Sequence, residues 1–374
     1  MGKIFTALGL MSGTSGDGID ASIISSDGID QYSEIINEYF KYDEKIYENL
    51  HNLREKIFNF GDLKKNEKEI NNLEKEITLF HAKIVNKILE KTDKKIDFLG
   101  FHGQTIYHNS QEKISKQIGN ASLLSQLTKR TVIYKFRQND INNGGEGAPL
   151  TPIFHRLIVK KKKIDLPVCI LNIGGIANVT AINEYDDNSF FSRDLGPGNC
   201  LIDEWLRDNT KNRFDQNGDI ANRGKINELI LNQALDNFDN IFNQNSFSFD
   251  IKDFSCSFVR GLNIEDGAAT LTDLTGKIIV ERLLSFLSGK RKESWNILVC
   301  GGGRKNQTLI KRIKDTIPNS FEIKSIDDFE IDGDFVESQA FAFLAIRSVL
   351  KLPISFPETT GCNKPTPGGV LIKY

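Results

Sequence analysis

Residues Leu8–Asp20 bring glycines, hydroxyls and carboxylates together after a short apolar segment: Ser12, Gly13, Thr14, Ser15, Gly16, Asp17, Gly18, Ile19 and Asp20. Glycines at this density let backbone approach a ligand closely, and successive N–H groups with the hydroxyls of Ser12, Thr14 and Ser15 can bond phosphoryl oxygens. Asp17 and Asp20 would repel a bare phosphate, so their presence suits a hard cation such as Mg²⁺ between carboxylate and phosphates, with Asp17 as its ligand. A polar hairpin tip with no ligand has the same composition, and this segment alone does not separate the two.

Other chemistry-bearing groups are dispersed. Asp194, in Arg193-Asp194-Leu195-Gly196-Pro197-Gly198-Asn199, reads as a loop carboxylate ahead of a helix that Asn199 would cap. Such a group suits a general base, or it merely braces the Gly-Pro-Gly turn. Glu337 opens an Ala- and Phe-rich helix, where an acid is favourable for the macrodipole alone. His102, Gln104 and Thr105 follow one apolar run, and Arg137 and Asp140 follow another, Thr131–Tyr134. Polar groups at the carboxyl ends of strands are where open α/β sheets bind ligands, and these types grip sugar hydroxyls, an amide carbonyl or a carboxylate. His102 is equally well read as a packed hydrogen-bonding group. Neither GxxxxGK[ST] nor a strand-borne GxGxxG is present.

The elements that must position these groups follow from periodicity. Ile4–Met11 and Ile19–Ser25 read as paired strands, and the charged stretch Tyr42–Lys91 carries apolar residues at helical spacing, from Ile70 through Leu73, Ile77, Ile84 and Ile88. The opening theme recurs: Val168–Ile173 is a buried strand, Gly174-Gly175 a turn, and Ile176–Thr180 a returning strand. A further strand, Asn296–Cys300, runs into Gly301-Gly302-Gly303 and a helix from Gln307, with Asn306 between them, a geometry that brings backbone close to a nucleotide. This alternation predicts α/β architecture in two related domains facing one cleft, one formed by residues 1–130 and 345–374 and the other by 131–344. The 374 residues suffice for two cores. A net charge of −2 gives no basic field for nucleic acid, no apolar run is long enough for a membrane span, and five scattered cysteines argue for neither disulfides nor zinc, which suits a reducing cytoplasm.

Taken in order, these segments resemble the anhydro-N-acetylmuramic acid kinase family, within the sugar kinase, actin and heat-shock-protein ATPase superfamily. The motifs that carry the resemblance begin with Gly9–Ser15 and Asp17–Asp20, Gly100–Thr105, Phe136-Arg137 with Asp140, and Gly147–Leu150. They continue with Asn172–Asn178, Asp194 with Gly196–Asn199, Asp266–Thr272, Cys300–Gly303 with Asn306, and Glu337–Ala342. The resemblance implies two ribonuclease-H-like (actin-like ATPase) domains. It also implies a homodimer, with ATP, Mg²⁺ and a small sugar as its ligands.

The reaction implied is phosphorylation of the 6-oxygen of 1,6-anhydro-N-acetylmuramic acid while water opens the anhydro bridge. Asp194 would activate the water, Glu337 would assist, and Gly13–Asp20 with Gly174, Gly175, Gly301, Gly302, Gly303 and Asn306 would hold the nucleotide. His102, Gln104, Thr105, Arg137 and Asp140 are left for the sugar. Departures from the family pattern fall at Gly16, Lys135, Glu146, Leu195 and Ser246–Phe254. They leave open a kinase for another anhydro or amino sugar, or a nucleotide or sugar sensor without turnover.

Overall fold

The computed structural model describes residues 2–185, 189–242, 248–290 and 294–374; Ser246 and Phe247, within one departure named above, lie outside them. The strands used below, in chain order, are β1 (Phe5–Ser12), β2 (Gly18–Ser26), β3 (Tyr32–Lys41), β4 (Phe98–Asn109), β5 (Ile114–Ile118), β6 (Thr131–Tyr134), β7 (Val168–Ile173), β8 (Ile176–Ile182), β9 (Phe190–Pro197), β10 (Asn296–Cys300) and β11 (Glu322–Ser325). The helices used below are α1 (Glu44–Glu55), α2 (Phe60–Lys65), α3 (Glu67–Leu89), α4 (Ala121–Thr128), α5 (Gln138–Asn142), α6 (Pro152–Lys161), α7 (Cys200–Asn209), α8 (Asp219–Arg223), α9 (Glu228–Phe242), α10 (Ile264–Leu287), α11 (Gln307–Thr316) and α12 (Val336–Val349).

The chain forms two compact units, one of residues up to Lys163 with Phe335–Tyr374, the other Ile164–Asp334. Segments 131–163 and 335–344, expected in the second domain, belong to the first. The reason lies in pairing: β6 joins β4 in parallel from Phe98↔Thr131 to Gly100↔Ile133, so the chain leaves the first sheet only after residue 134. Helix α12 likewise packs on β1, β2 and β4.

In the first unit β3, β2, β1, β4 and β6 are neighbours in that order, with β1–β2 and β2–β3 antiparallel and β1–β4 and β4–β6 parallel. In the second, β9, β8, β7, β10 and β11 follow one another with the same senses. Leaving out β5, which pairs only with β4, and the edge strand Val370–Ile372 beside β6, the five strands of each unit follow the order 3-2-1-4-5, the ribonuclease-H-like arrangement, so the repeat suggested by two glycine hairpins is a repeat of whole five-stranded units.

Alternation along each strand assigns its faces. Leu8, Leu10, Ile19, Ala21 and Ile23 enter one core with Ile70, Leu73, Ile77, Ile84 and Ile88 of α3. The opposite face receives α12 so closely that a Cβ on Gly9 would lie 1.9 Å from Ser338 O, and one on Gly100 2.3 Å from Phe341 O. In the second unit Leu171, Ile173, Ala177, Val179 and Leu195 pack with Ile279 and Leu283 of α10 and Leu309 and Ile313 of α11. Among the described residues no helix is long and apolar enough to cross a membrane.

Candidate active site

The expected phosphate turn joins β1 to β2, whose register runs from Phe5↔Ser26 to Met11↔Asp20. Gly16 adopts φ +65°, and its N–H donates to Gly13 O at 3.2 Å, closing the turn. The carbonyls of the turn face protein: Gln104 Nε2 donates to Gly13 O (2.9 Å), Arg54 Nη1 to Thr14 O (2.6 Å), and Tyr42 N to Asp17 O (2.9 Å). Ser15 Oγ donates to Asp17 Oδ1 at 2.5 Å. Asp17 is partly exposed, and its carboxylate with the Ser15 hydroxyl on it offers hard oxygens, the donor type that Mg²⁺ takes. Ile19 belongs to the core with no exposed surface, so its side chain serves the fold rather than a nucleotide.

Gln104 and Thr105 are not at a strand end. Strand β4 outruns its pairing with β1 and continues to Asn109 against β5, which places both residues mid-strand beside the turn. Gln104 is fully buried and its Oε1 has no partner, an acceptor left for a donor outside the chain. His102 Nδ1 lies 2.8 Å from Gly103 O and its Nε2 accepts from Arg137 Nη2 at 2.9 Å, which fixes the neutral tautomer. Burial and the neighbouring guanidinium hold its pKa well below the usual value. Arg137 also donates to Gly147 O at 2.7 Å, so the guanidinium is set in one orientation.

Asp140, expected to meet sugar, is committed elsewhere. Its Oδ2 accepts from Gly147 N (2.7 Å) and its Oδ1 from Thr360 Oγ1 (2.6 Å), so it braces the 144–147 loop from a buried position. Glu337 begins α12, where burial raises its carboxyl pKa and the charge of Arg137 opposes the rise.

In the second unit Asp194 stands within β9 rather than in a loop, opposite Asn178. The pairing slips between Ala177↔Gly196 and Asn178↔Asp194, so Leu195 is the extra residue of a bulge and drops into the core. A bulge re-aims its flanking side chains, which explains why the strand pattern is hard to read here. Asp194 is 6% exposed, and its Oδ2 accepts from Phe249 N at 2.9 Å. Just beyond, the Gly174-Gly175 turn is capped by backbone: Asn199 N donates to Gly174 O (2.8 Å), and Gly198 N to Gly175 O (2.9 Å). Asn199 heads α7 without a side-chain cap, its amide reaching toward Ile173 O instead at 3.4 Å.

The glycine run after β10 divides. Gly301, at φ +76°, and Gly303 press on the end of β7, where a Cβ would come within 2.4 Å of Asn172 Oδ1 and 2.3 Å of Ile173 Cγ2, whereas a Cβ on Gly302 would meet nothing within 4 Å. Asn306 spends its Oδ1 as the cap of α11, accepting from Leu309 N at 2.9 Å, so its acceptor serves the helix rather than an adenosine. Arg304, which the sequence reading passed over, clamps this loop through Asp327 (2.7 Å) and Asp334 (2.5 Å). Arg54 was also missed, because on a charged surface helix no local spacing separates it from a solvated arginine.

The family model for anhydro-N-acetylmuramic acid kinase matches residues 5–373. A protein of that name from Pelagibacter ubique (strain HTCC1062) is 56% identical over 373 residues, covering 100% of both chains. Another, from Zymomonas mobilis subsp. mobilis, is 37% identical over 369 residues, covering 97% of this chain and 98% of its own. A third, from Rhizobium etli, is 37% identical over 376 residues, covering 99% of each. With matches of this extent, the chain belongs to the anhydro-N-acetylmuramic acid kinase family.

Proposed function

We propose that the protein uses ATP to phosphorylate the 6-oxygen of 1,6-anhydro-N-acetylmuramic acid while water opens the anhydro bridge, giving N-acetylmuramate 6-phosphate and ADP in cell-wall recycling. The observation that carries this reading is Asp194, a buried carboxylate on a bulged strand with one oxygen fixed by the Phe249 amide. Asp194 takes a proton from water as the water oxygen bonds to the anomeric carbon. The bond from that carbon to O6 breaks, and O6 bonds the γ-phosphorus of ATP as ADP leaves. General-base assistance of this kind contributes about 10²–10⁴-fold.

The remaining residues bind and orient. The Thr14 and Ser15 amides and hydroxyls face the phosphates, Gly302 leaves room for nucleotide, and Gln104 Oε1 accepts from a sugar donor. Arg137, held by His102 and Gly147, faces the anionic part of the substrate, and Glu337 assists beside it. Asp17 would hold Mg²⁺, which when bound neutralises charge on the phosphoryl oxygens. A cytoplasmic homodimer is part of the same reading, supported by the resemblance in sequence.

The test is ADP release with Mg·ATP across a panel of sugars. Release with 1,6-anhydro-N-acetylmuramic acid above all others is the expected outcome. Release only with a different anhydro or amino sugar would replace the substrate. ATP binding without turnover on the whole panel would make the protein a sensor.

A further inference from the structure

Arg54 is 94% shielded from solvent at the C-terminal end of α1, on the face that also carries Leu50. Its buried head group donates to two backbone carbonyls. Nη1 donates to Thr14 O at 2.6 Å, while Nη2 and Nε donate to Thr105 O at 2.7 and 3.2 Å. One guanidinium therefore joins the phosphate turn to the strand that carries Gln104 and Thr105. The planar fork suits that task, since its donors are fixed relative to one another, whereas a lysine ammonium is a single point on a flexible stem.

The consequence lies in the peptide planes. A trans peptide holds its C=O and N–H in opposite directions. Drawing Thr14 O inward to Arg54 turns the Ser15 N–H outward, and Gln104 does the same for the Thr14 N–H through Gly13 O. His51 Nε2, one turn back on α1, lies 3.1 Å from Ser15 O and acts on the next peptide. The amides assigned to the phosphates are thus aimed by side chains behind the turn. Gly16 records the closeness of this packing: a Cβ there would lie 2.7 Å from Leu50 Cδ2 and 3.1 Å from Arg54 Nη1, at a φ of +65°.

Resting on the kinase reading above, we infer that Arg54 is a positioning residue that aims the β1–β2 turn amides at the nucleotide phosphates and couples that turn to the sugar-side strand β4. It does not touch substrate. Its role is to keep the amides aimed before ATP arrives, so its loss is felt in nucleotide affinity more than in melting temperature.

The experiment is calorimetric titration of the full chain with the non-hydrolysable analogue AMPPNP and Mg²⁺, beside thermal melts, for wild type, Arg54→Lys, Arg54→Gln and Gly16→Ala. No sugar is present, so a wrong sugar assignment leaves the result readable, and wild-type binding of AMPPNP is its positive control. Expected is a tenfold or greater loss of affinity in Arg54→Lys and a larger loss in Arg54→Gln, each with a cooperative melt. Gly16→Ala, which pushes on the same contact from the turn side, should weaken AMPPNP comparably and decides the matter if the Arg54 variants do not fold. Folded variants that bind AMPPNP within twofold of wild type, whatever their melting temperature, overturn the inference.

Discussion

The two units share a strand order but not a way of building the first hairpin, and on the proposed function that difference divides ligand holding from catalysis. In the first unit β1 and β2 are joined by Gly13–Asp17, whose carbonyls are taken by Gln104, Arg54 and Tyr42. In the second, β7 and β8 are joined by Gly174-Gly175 alone, and the backbone of Gly198, Asn199 and Cys200 closes on it. A turn whose Gly13 and Thr14 carbonyls are held from behind by side chains turns the following N–H groups, of Thr14 and Ser15, the other way. A turn covered by the chain that follows Asp194 instead fixes the position of that carboxylate's strand.

The sharpest way to break this division is Asp194→Asn. Turnover should fall by about 10²–10⁴-fold while AMPPNP affinity stays within a few-fold of wild type, because Asp194 lies in one unit and the β1–β2 turn in the other. Steady-state ADP release and calorimetry read the two effects separately, and equal losses in both would erase the distinction. Asp17→Asn should do the reverse, raising the Mg²⁺ concentration for half-maximal activity on the order of tenfold to a hundredfold with little change at saturating metal.

Glycine substitutions sharpen the same comparison through stability. A Cβ on Gly198 would lie 2.3 Å from Gly174 O, whereas on Gly13 the nearest atom is Ser15 Oγ at 3.8 Å. Gly198→Ala should therefore cost about 1–3 kcal/mol in urea unfolding, and Gly13→Ala should be close to neutral. A similar cost at both positions would mean that the first turn is as closed as the second.

Acid response gives the most distributed contrast. All five histidines lie before residue 164, in the first unit. Burial depresses His81 to about 4 and His108 and His155 to about 3, and His102 is held well below 6.5. The unfolded chain therefore takes up these protons first as pH falls below about 6.5, and stability is lost progressively from there toward the folded values. Hydrogen exchange compared at pH 7 and pH 5, corrected for intrinsic rates, should show the first unit losing more protection than the second.

How much of this could be read from the chain depends on whether the signal was local. The Gly13–Asp17 turn, the α3 stripe from Ile70 to Ile88 and the Gly174-Gly175 hairpin are encoded within a few residues, and all are present as read. Sheet order is encoded by long-range pairing, so β6 was assigned to the wrong half although its limits, Thr131–Tyr134, were legible. Asp194 looked like a loop residue because the Leu195 bulge breaks the two-residue alternation that marks a strand. Asp140 and Asn306 carry the right chemistry for ligands but meet backbone N–H groups of their own chain. Arg54 gave no signal, because a buried arginine on a helix resembles a solvated one until its carbonyl partners are known.

Coupling of ring opening to phosphoryl transfer is the central claim, and the ratio of two products tests it most directly. Hydrolysis of the anhydro bridge creates one reducing end, and phosphorylation consumes one ATP, so both should be counted in a single reaction with 1,6-anhydro-N-acetylmuramic acid. The account predicts one new reducing end for each ADP, with the phosphate on the 6-oxygen. A phosphorylated sugar that keeps its anhydro bridge, or ADP formed without a reducing end, would contradict it.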